Sequence, residues 1–479
     1  MENPNNLRRL FYKWHRILGL IALVPIIGWT LSGLSHPFMS NWFRPSIPQE
    51  SYQLPVLKPV LSLTQVLDQN HINELRNYGL VSFNKQVYYQ ILQKDSSYRY
   101  YSAKDGKPIS NGDRNYAIYL ARYFTQDSVS KIKDAHLQTR FDSHYQPINH
   151  LLPVWKVSLE RPDGMDVYIE TGQSRMGTFN NNTRKTMLWV FEQLHTWDFM
   201  ADAFGNKFRL GLMIAVVGVL FLSMLSGLII YGLFWKRFKE IGQKQKAKGI
   251  ADKRITHRYH RQLGLIMSFL MLMFFISAGF HLVVKLHNIK PGEKGFEQLI
   301  NRTDLKADNL HLPIADSLIR KQALVKFNGQ TYYQVTDNDK NTHYFDATNN
   351  TELQNGDTNL ALYLANYYRP QETRKVKGKP QINQIRQFTN EYGFINKRLP
   401  VQQVSYPSKD NWYIETSTQK LATHITGIDR AEGLSFIFLH KFFWMTWAGK
   451  NIRDVVSILA ALSILIVALL GFSAFIKNK

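Results

Sequence analysis

Apolar residues along the chain gather into four long windows separated by segments of mixed character. Roughly Ile17–Met39, Leu210–Trp235, Leu263–Val284 and Val455–Ile476 are almost free of charge. Each has the length, about 20 residues, that a helix needs to cross a bilayer. Ser, Thr, Trp or His interrupt the first three, and no Asp or Glu does. The first window is too long for a cleavable leader, and Pro37-Phe38-Met39-Ser40-Asn41-Trp42 is too bulky for a cleavage site, so it is expected to stay as an anchor.

The mixed segments read differently. Alternation at Gln86–Leu92 and Tyr98–Ser102, with Asp105-Gly106 beyond, predicts strands and a turn. A second strand pair is expected at Trp155–Glu160 and Asp166–Glu170, turning at Pro162-Asp163-Gly164. Leu61–Asn77 and Asn115–Phe124 have helical spacing. The expected class is therefore an α+β membrane protein: four transmembrane helices and two outer α+β domains with curled antiparallel sheets.

The pattern repeats itself. Lys13-Trp14-His15-Arg16-Ile17-Leu18-Gly19-Leu20 returns as Arg258-Tyr259-His260-Arg261-Gln262-Leu263-Gly264-Leu265, and His36 returns as His281 and Leu194-His195 as Leu439-His440, all 245 residues on. The soluble segments repeat too. Leu80–Gln90 matches Leu324–Gln334, Asn111-Gly112-Asp113 matches Asn355-Gly356-Asp357, and Tyr168-Ile169-Glu170-Thr171 matches Tyr413-Ile414-Glu415-Thr416. The chain is two copies of helix, outer domain, helix, and both copies begin on the same side.

Charge sets that side. The formal net charge is +23, but its distribution argues against nucleic acid. Lys236, Arg237, Lys239, Lys244, Lys246, Lys248, Lys253, Arg254, Arg258 and Arg261 crowd one short loop, opposed there only by Glu240 and Asp252. Arg8, Arg9, Lys13 and Arg16 precede the first window, and Lys477 and Lys479 follow the last. The positive-inside rule assigns all three places to the cytoplasm, where the basic loop would touch anionic lipid. The expected organisation is a cytoplasmic N-terminus (1–16), a span (17–39), an outer domain (40–208), a span (209–235), a basic cytoplasmic loop (236–261), a span (262–285), a second outer domain (286–451) and a final span (452–476).

The chemistry lies in the repeated histidines. Histidine is costly in hydrocarbon, so its recurrence in register points to a ligand. His15 and His36, like His260 and His281, are 21 residues apart, about 31 Å of helix, and lie within about 60° of one face. Bis-histidine b-type haem needs two imidazoles from separate elements, which a duplicated scaffold supplies. His15 with His260 would form an inner pair; His36, His281, His195 and His440 would supply an outer site in a pairing the sequence does not fix. A single interfacial histidine is more often a snorkelling or capping side chain; three positions repeated in register favour ligation. His257, whose repeat mate is Tyr12, is an accessory candidate for supporting quinol or haem propionates. The eight remaining histidines lack repeat partners and read as surface or structural residues.

Other chemistry is poorly supported. With no cysteine, disulfides, iron–sulfur clusters and covalent c-type haem are excluded. No dinucleotide or phosphate-loop glycine motif, HExxH or Gly-x-Ser-x-Gly occurs. Electrons would have to come from quinol or a cytoplasmic donor.

On these residues the chain resembles bacterial inner-membrane proteins with PepSY-associated transmembrane helices, called iron-regulated or PiuB-like. The resemblance rests on the basic-aromatic-His-x-x-x-Gly-Leu starts at His15 and His260, the exits Ser32-Gly33 and Ser277-Ala278-Gly279, the Leu-His pairs, and Tyr168-Ile169-Glu170-Thr171-Gly172, which looks like the end of a PepSY strand. It covers nearly the whole chain. It implies two b-type haems and reduction of a periplasmic ferric siderophore or other iron chelate. The chain departs from the pattern at His36 and His281, which are not expected in every member, and at Thr416-Ser417-Thr418, where the first copy has Thr171-Gly172-Gln173. The alternative is a haem-free receptor or regulator whose outer domains bind a peptide, protease or envelope partner.

Overall fold

A computed structural model of the chain describes residues 4–247, 255–288, 295–369, 378–408 and 410–476. Lys248, Asp252, Lys253, Arg254, Lys477 and Lys479 lie outside the described residues. In chain order the elements are α1 (Pro4–Pro37), α2 (Leu63–Gln69), β1 (Glu74–Leu75), β2 (Asn77–Phe83), β3 (Gln86–Leu92), β4 (Tyr98–Ser102), β5 (Pro108–Ile109), α3 (Gly112–Thr125), β6 (Ile132–Gln138), β7 (Val154–Leu159), β8 (Asp166–Glu170), β9 (Arg175–Asn180), α4 (Asn182–Phe191), α5 (Asp198–Phe204) and α6 (Asn206–Leu233). There follow α7 (Trp235–Ala247), α8 (Ile255–His287), β10 (Ile300–Asn301), β11 (Ile319–Phe327), β12 (Gln330–Asp337), β13 (Thr342–Asp346), α9 (Gly356–Tyr368), β14 (Gln381–Ile385), β15 (Val401–Ser405), β16 (Asn411–Glu415), β17 (Lys420–Ile425), α10 (Gly427–Ser435) and α11 (Gly449–Ile476).

Two compact units result: a helical one (Met1–Arg44, Thr183–Pro291, Ile428–Lys479) and a mixed one (Pro45–Asn182, Gly292–Gly427). Residues 183–208 and 428–451, assigned above to the outer domains, thus belong with the long helices. They are themselves mostly helical, and their apolar faces pack on α1 and α8 rather than on a sheet.

In the helical unit, four helical segments are long and apolar enough to cross a membrane: Arg9–Trp42, Asn206–Leu233, Ile255–His287 and Phe443–Ile476. α1 packs against α6 and α11, and α8 against the same two, so the repeat mates α1 and α8 face each other across the bundle. Val24, Phe269 and Ile266 on their outer faces are 77%, 67% and 63% exposed, the all-round apolar character of a helix meant for lipid.

In the mixed unit, β6–β9 and β14–β17 form four-stranded antiparallel sheets of identical order. α3 covers the first and α9 the second, through Tyr116, Leu120 and Phe124 and through Leu360 and Leu364. A third core joins β2–β4 to β11–β13 around Tyr89, Ile91, Tyr333 and Val335. There Tyr78 Oη donates to Gln322 Oε1 (2.8 Å), and the Leu63 amide donates to Asn309 Oδ1 (2.7 Å). The repeated Asn-Gly-Asp now has a cause. A Cβ at Gly112 or Gly356 would lie 2.5 Å from the side chain of Tyr100 or Tyr344, and the aspartate one residue on accepts that tyrosine's hydroxyl.

The helix expected over Leu61–Asn77 stops at Gln69. Asn70 turns its side chain onto the carbonyls of Val66 and Gly106, and His71 takes a left-handed φ of 54°. Beyond it, Leu75 and Tyr78 bury better as strand residues. Both strand pairs and the helix over Asn115–Phe124 form as expected, and Gly164 closes its turn onto Arg161.

Glu170 and Glu415, repeat mates, both bind Arg175, and Glu415 also binds Arg398; all are at least four-fifths buried. Burial alone would raise the carboxyl pKa of Glu415, but Arg175 and Arg398 overcome it and hold it well below the ordinary range; Glu170 is lowered in the same way. A depressed carboxylate stabilises the fold above its unfolded pKa, about 4.3, and loses that contribution as pH falls further. Amide exchange in β8 and β16 should therefore be slow and constant from pH 7 to 5, after intrinsic-rate correction, and accelerate below about pH 4. Unchanged protection at pH 3 would remove the pair from the stability of this unit.

Candidate functional site

The inner pair forms within the helical unit. His15 on α1 and His260 on α8 face each other with ring centres 6.2 Å apart. His15 Nδ1–H donates to the Ser223 carbonyl of α6 (3.0 Å), with the Ser226 hydroxyl also 3.0 Å away. His260 Nδ1–H donates to the Val467 carbonyl of α11 (3.0 Å). Each ring thus spends Nδ1 on backbone and leaves the Nε2 lone pair for a ligand, the tautomer that metal-bound imidazoles use. Glycine makes room for the rings. A Cβ at Gly227 or Gly471 would stand 3.0 or 2.9 Å from Cε1 of His15 or His260. Both histidines line a cavity of about 1200 Å³.

The outer pair depends on helix defects. α4 and α10 each end in a single π-turn, Glu192–Thr196 and Phe436–His440, which carries the histidine. A π-turn rotates following side chains away from the α-helical register and recurs at functional sites. Here it brings His195 and His440 to 6.3 Å between ring centres, with planes at 87°. Ser32 Oγ donates to the Trp29 carbonyl and so accepts from His195 Nδ1 (2.9 Å); Ser277 meets His440 Nδ1 at 3.0 Å. Trp29 Nε1 donates to the His195 carbonyl (3.1 Å). Burial pushes the His195 imidazole down to about 4 and lowers that of His440 as well, so both stay neutral.

The other candidates take different partners. His36 Nε2 accepts from Lys441 Nζ (3.1 Å), and its ring lies 5.7 Å from that of Phe191. His281 Nδ1 pairs with Glu432 on α10. In the structure His195 faces His440, while His36 meets Lys441 and His281 meets Glu432. His257 and Tyr12 line the inner cavity together. The sequence reading missed Lys441 and Glu432, which have no like residue in the other copy, and the serines' role. Ser32 and Ser277 stood in register, the one signal that could have revealed it.

Two imidazoles bound to opposite faces of one metal, each nitrogen about 2 Å from it, place their ring centres about 6 Å apart. Both pairs meet that spacing. Among the described residues, no group of three or more His, Cys, Asp or Glu could hold a metal. Two imidazoles from separate elements are the donor set that a bis-histidine haem takes, and the inner pair opens onto the cavity described above. Comparison with models of known protein families gave no match, and comparison with curated proteins gave none either.

Proposed function

We propose that the protein is a b-type cytochrome of a bacterial inner membrane, a PepSY-type ferric-chelate reductase carrying electrons outward to a periplasmic iron complex. The observation that carries this reading is the double one just described: two opposed imidazole pairs, at 6.2 and 6.3 Å, each ring anchored through Nδ1. His15 and His260 hold the inner haem; His195 and His440 hold the outer one. Haem iron supplies reversible one-electron storage. The chain's residues fix both imidazoles in the coordinating tautomer, exclude water with Trp29, Phe191 and Phe436, and place a half-buried cation, Lys441, beside the outer pair.

The substrate side follows from iron chemistry. Ferrous ion binds hard oxygen donors more weakly than ferric ion, so one electron frees the metal and leaves the chelator intact. Both termini and α7 face the cytoplasm in this arrangement, as the basic residues require.

An optical spectrum tests the proposal. Detergent-purified, haem-replete protein should show, after dithionite, the sharp α-band of low-spin bis-histidine haem b, and should then be reoxidised by a ferric siderophore. Folded protein that remains colourless overturns the reading and leaves a haem-free receptor. A normal band that no ferric chelate reoxidises removes the substrate alone.

A further inference from the structure

The inner cavity is lined by repeat-paired residues around the histidines and by α7 at its mouth. The repeat pairs are Gly19 with Gly264, Arg16 with Arg261 and Gly227 with Gly471. At the cytoplasmic end Trp235, Arg237, Phe238, Lys239 and Gln243 of α7 join the wall.

The volume agrees with two occupants. About 1200 Å³ exceeds the roughly 300–1,000 Å³ of a pocket for one drug-sized ligand. The wall also includes Leu20 and Leu265, which are 40% and 42% exposed, an apolar lining that suits a hydrocarbon tail. The mouth carries an aromatic cluster, in which Trp235 and Phe238 pack on Tyr231 and the Arg261 guanidinium lies 4.1 Å over the Phe238 ring, beside side-chain donors from Gln243, His257 and Arg237. An aromatic head with two oxygen functions and a hydrocarbon tail matches this lining. A nucleotide matches it less well, since no glycine-rich phosphate loop is present.

We infer that the α7 side of the cavity is a quinol-oxidising site that loads the inner haem. This rests on the cytochrome reading and names its electron donor. The quinol loses two electrons and two protons and leaves as quinone. Its two electrons would pass one at a time to the haem that His15 and His260 would hold, and together would suffice to reduce two ferric ions. The protons leave to water through the cytoplasmic mouth.

Two measurements on the full-length protein in lipid nanodiscs test the site. A photoreactive azidoquinone should label peptides from Trp235–Gln243, and unlabelled quinone should compete. In stopped-flow mixing, a short-chain quinol should make the reduced α-band appear, and a Phe238→Ala/Gln243→Ala variant should do so at least tenfold more slowly, with its dithionite-reduced spectrum unchanged. A normal dithionite spectrum without quinol reduction, or labelling elsewhere, overturns the quinol site and points to a cytoplasmic reductase. Absence of any haem band instead overturns the cytochrome reading, while the labelling still reports on the site.

Discussion

Replacing His15 or His260 with alanine should, on the proposed cytochrome reading, remove one of two haems and leave the other. The bound haem per chain should fall by half, and reduction by quinol should be lost. The rings of His195 and His440 cross at 87°, those of His15 and His260 at 42°. Imidazoles crossed at a haem iron would leave two d-orbitals nearly degenerate and give a strongly anisotropic ferric resonance; a smaller angle would split them and give a more rhombic one. His15→Ala should then retain the anisotropic signal, and His195→Ala the rhombic one. Retention of both signals in His15→Ala would show that the inner pair is not a ligand set.

Glu415→Gln should be the most destabilising single change in the mixed unit. It leaves Arg175 with Glu170 alone and strips Arg398 of its carboxylate, both in a site where Glu415 is only 3% exposed. Breaking a buried pair from one side costs about 3–5 kcal/mol, because the stranded charge remains desolvated. Adding Arg398→Met should recover part of the loss, since an apolar partner removes the stranded charge. Chemical denaturation followed by near-UV dichroism checks both variants. A Glu415→Gln protein as stable as its parent would show that the arginines find water instead.

Much of this site was legible in the sequence because membrane burial makes polar residues conspicuous. His15 and His260 stand out against apolar neighbours, and a register of 245 couples them before any coordinates exist. The outer pairing was not legible. Helical phase computed along α4 or α10 fails at the π-turns, which no residue type announces, so His195 and His440 could not be matched by rotation angle. His36 and His281 share a helical face with His15 and His260, yet they are drawn to Lys441 and Glu432, whose proximity depends on tertiary packing. In the mixed unit, alternation located β3, β4, β7 and β8 well. The overextended helix after Leu61 failed for another reason: apolar spacing alone does not register a left-handed residue such as His71.

α1 is also a ruler. It carries His15 at one end and, 17 residues on, the Ser32 that anchors His195, a separation of about 25 Å along the axis. On the proposed cytochrome reading, tunnelling between the two centres would decay exponentially with the gap between conjugated edges, and the helix would fix how much of that span the two haems leave uncovered. The length of one helix would thereby set the time constant of the proposed transfer.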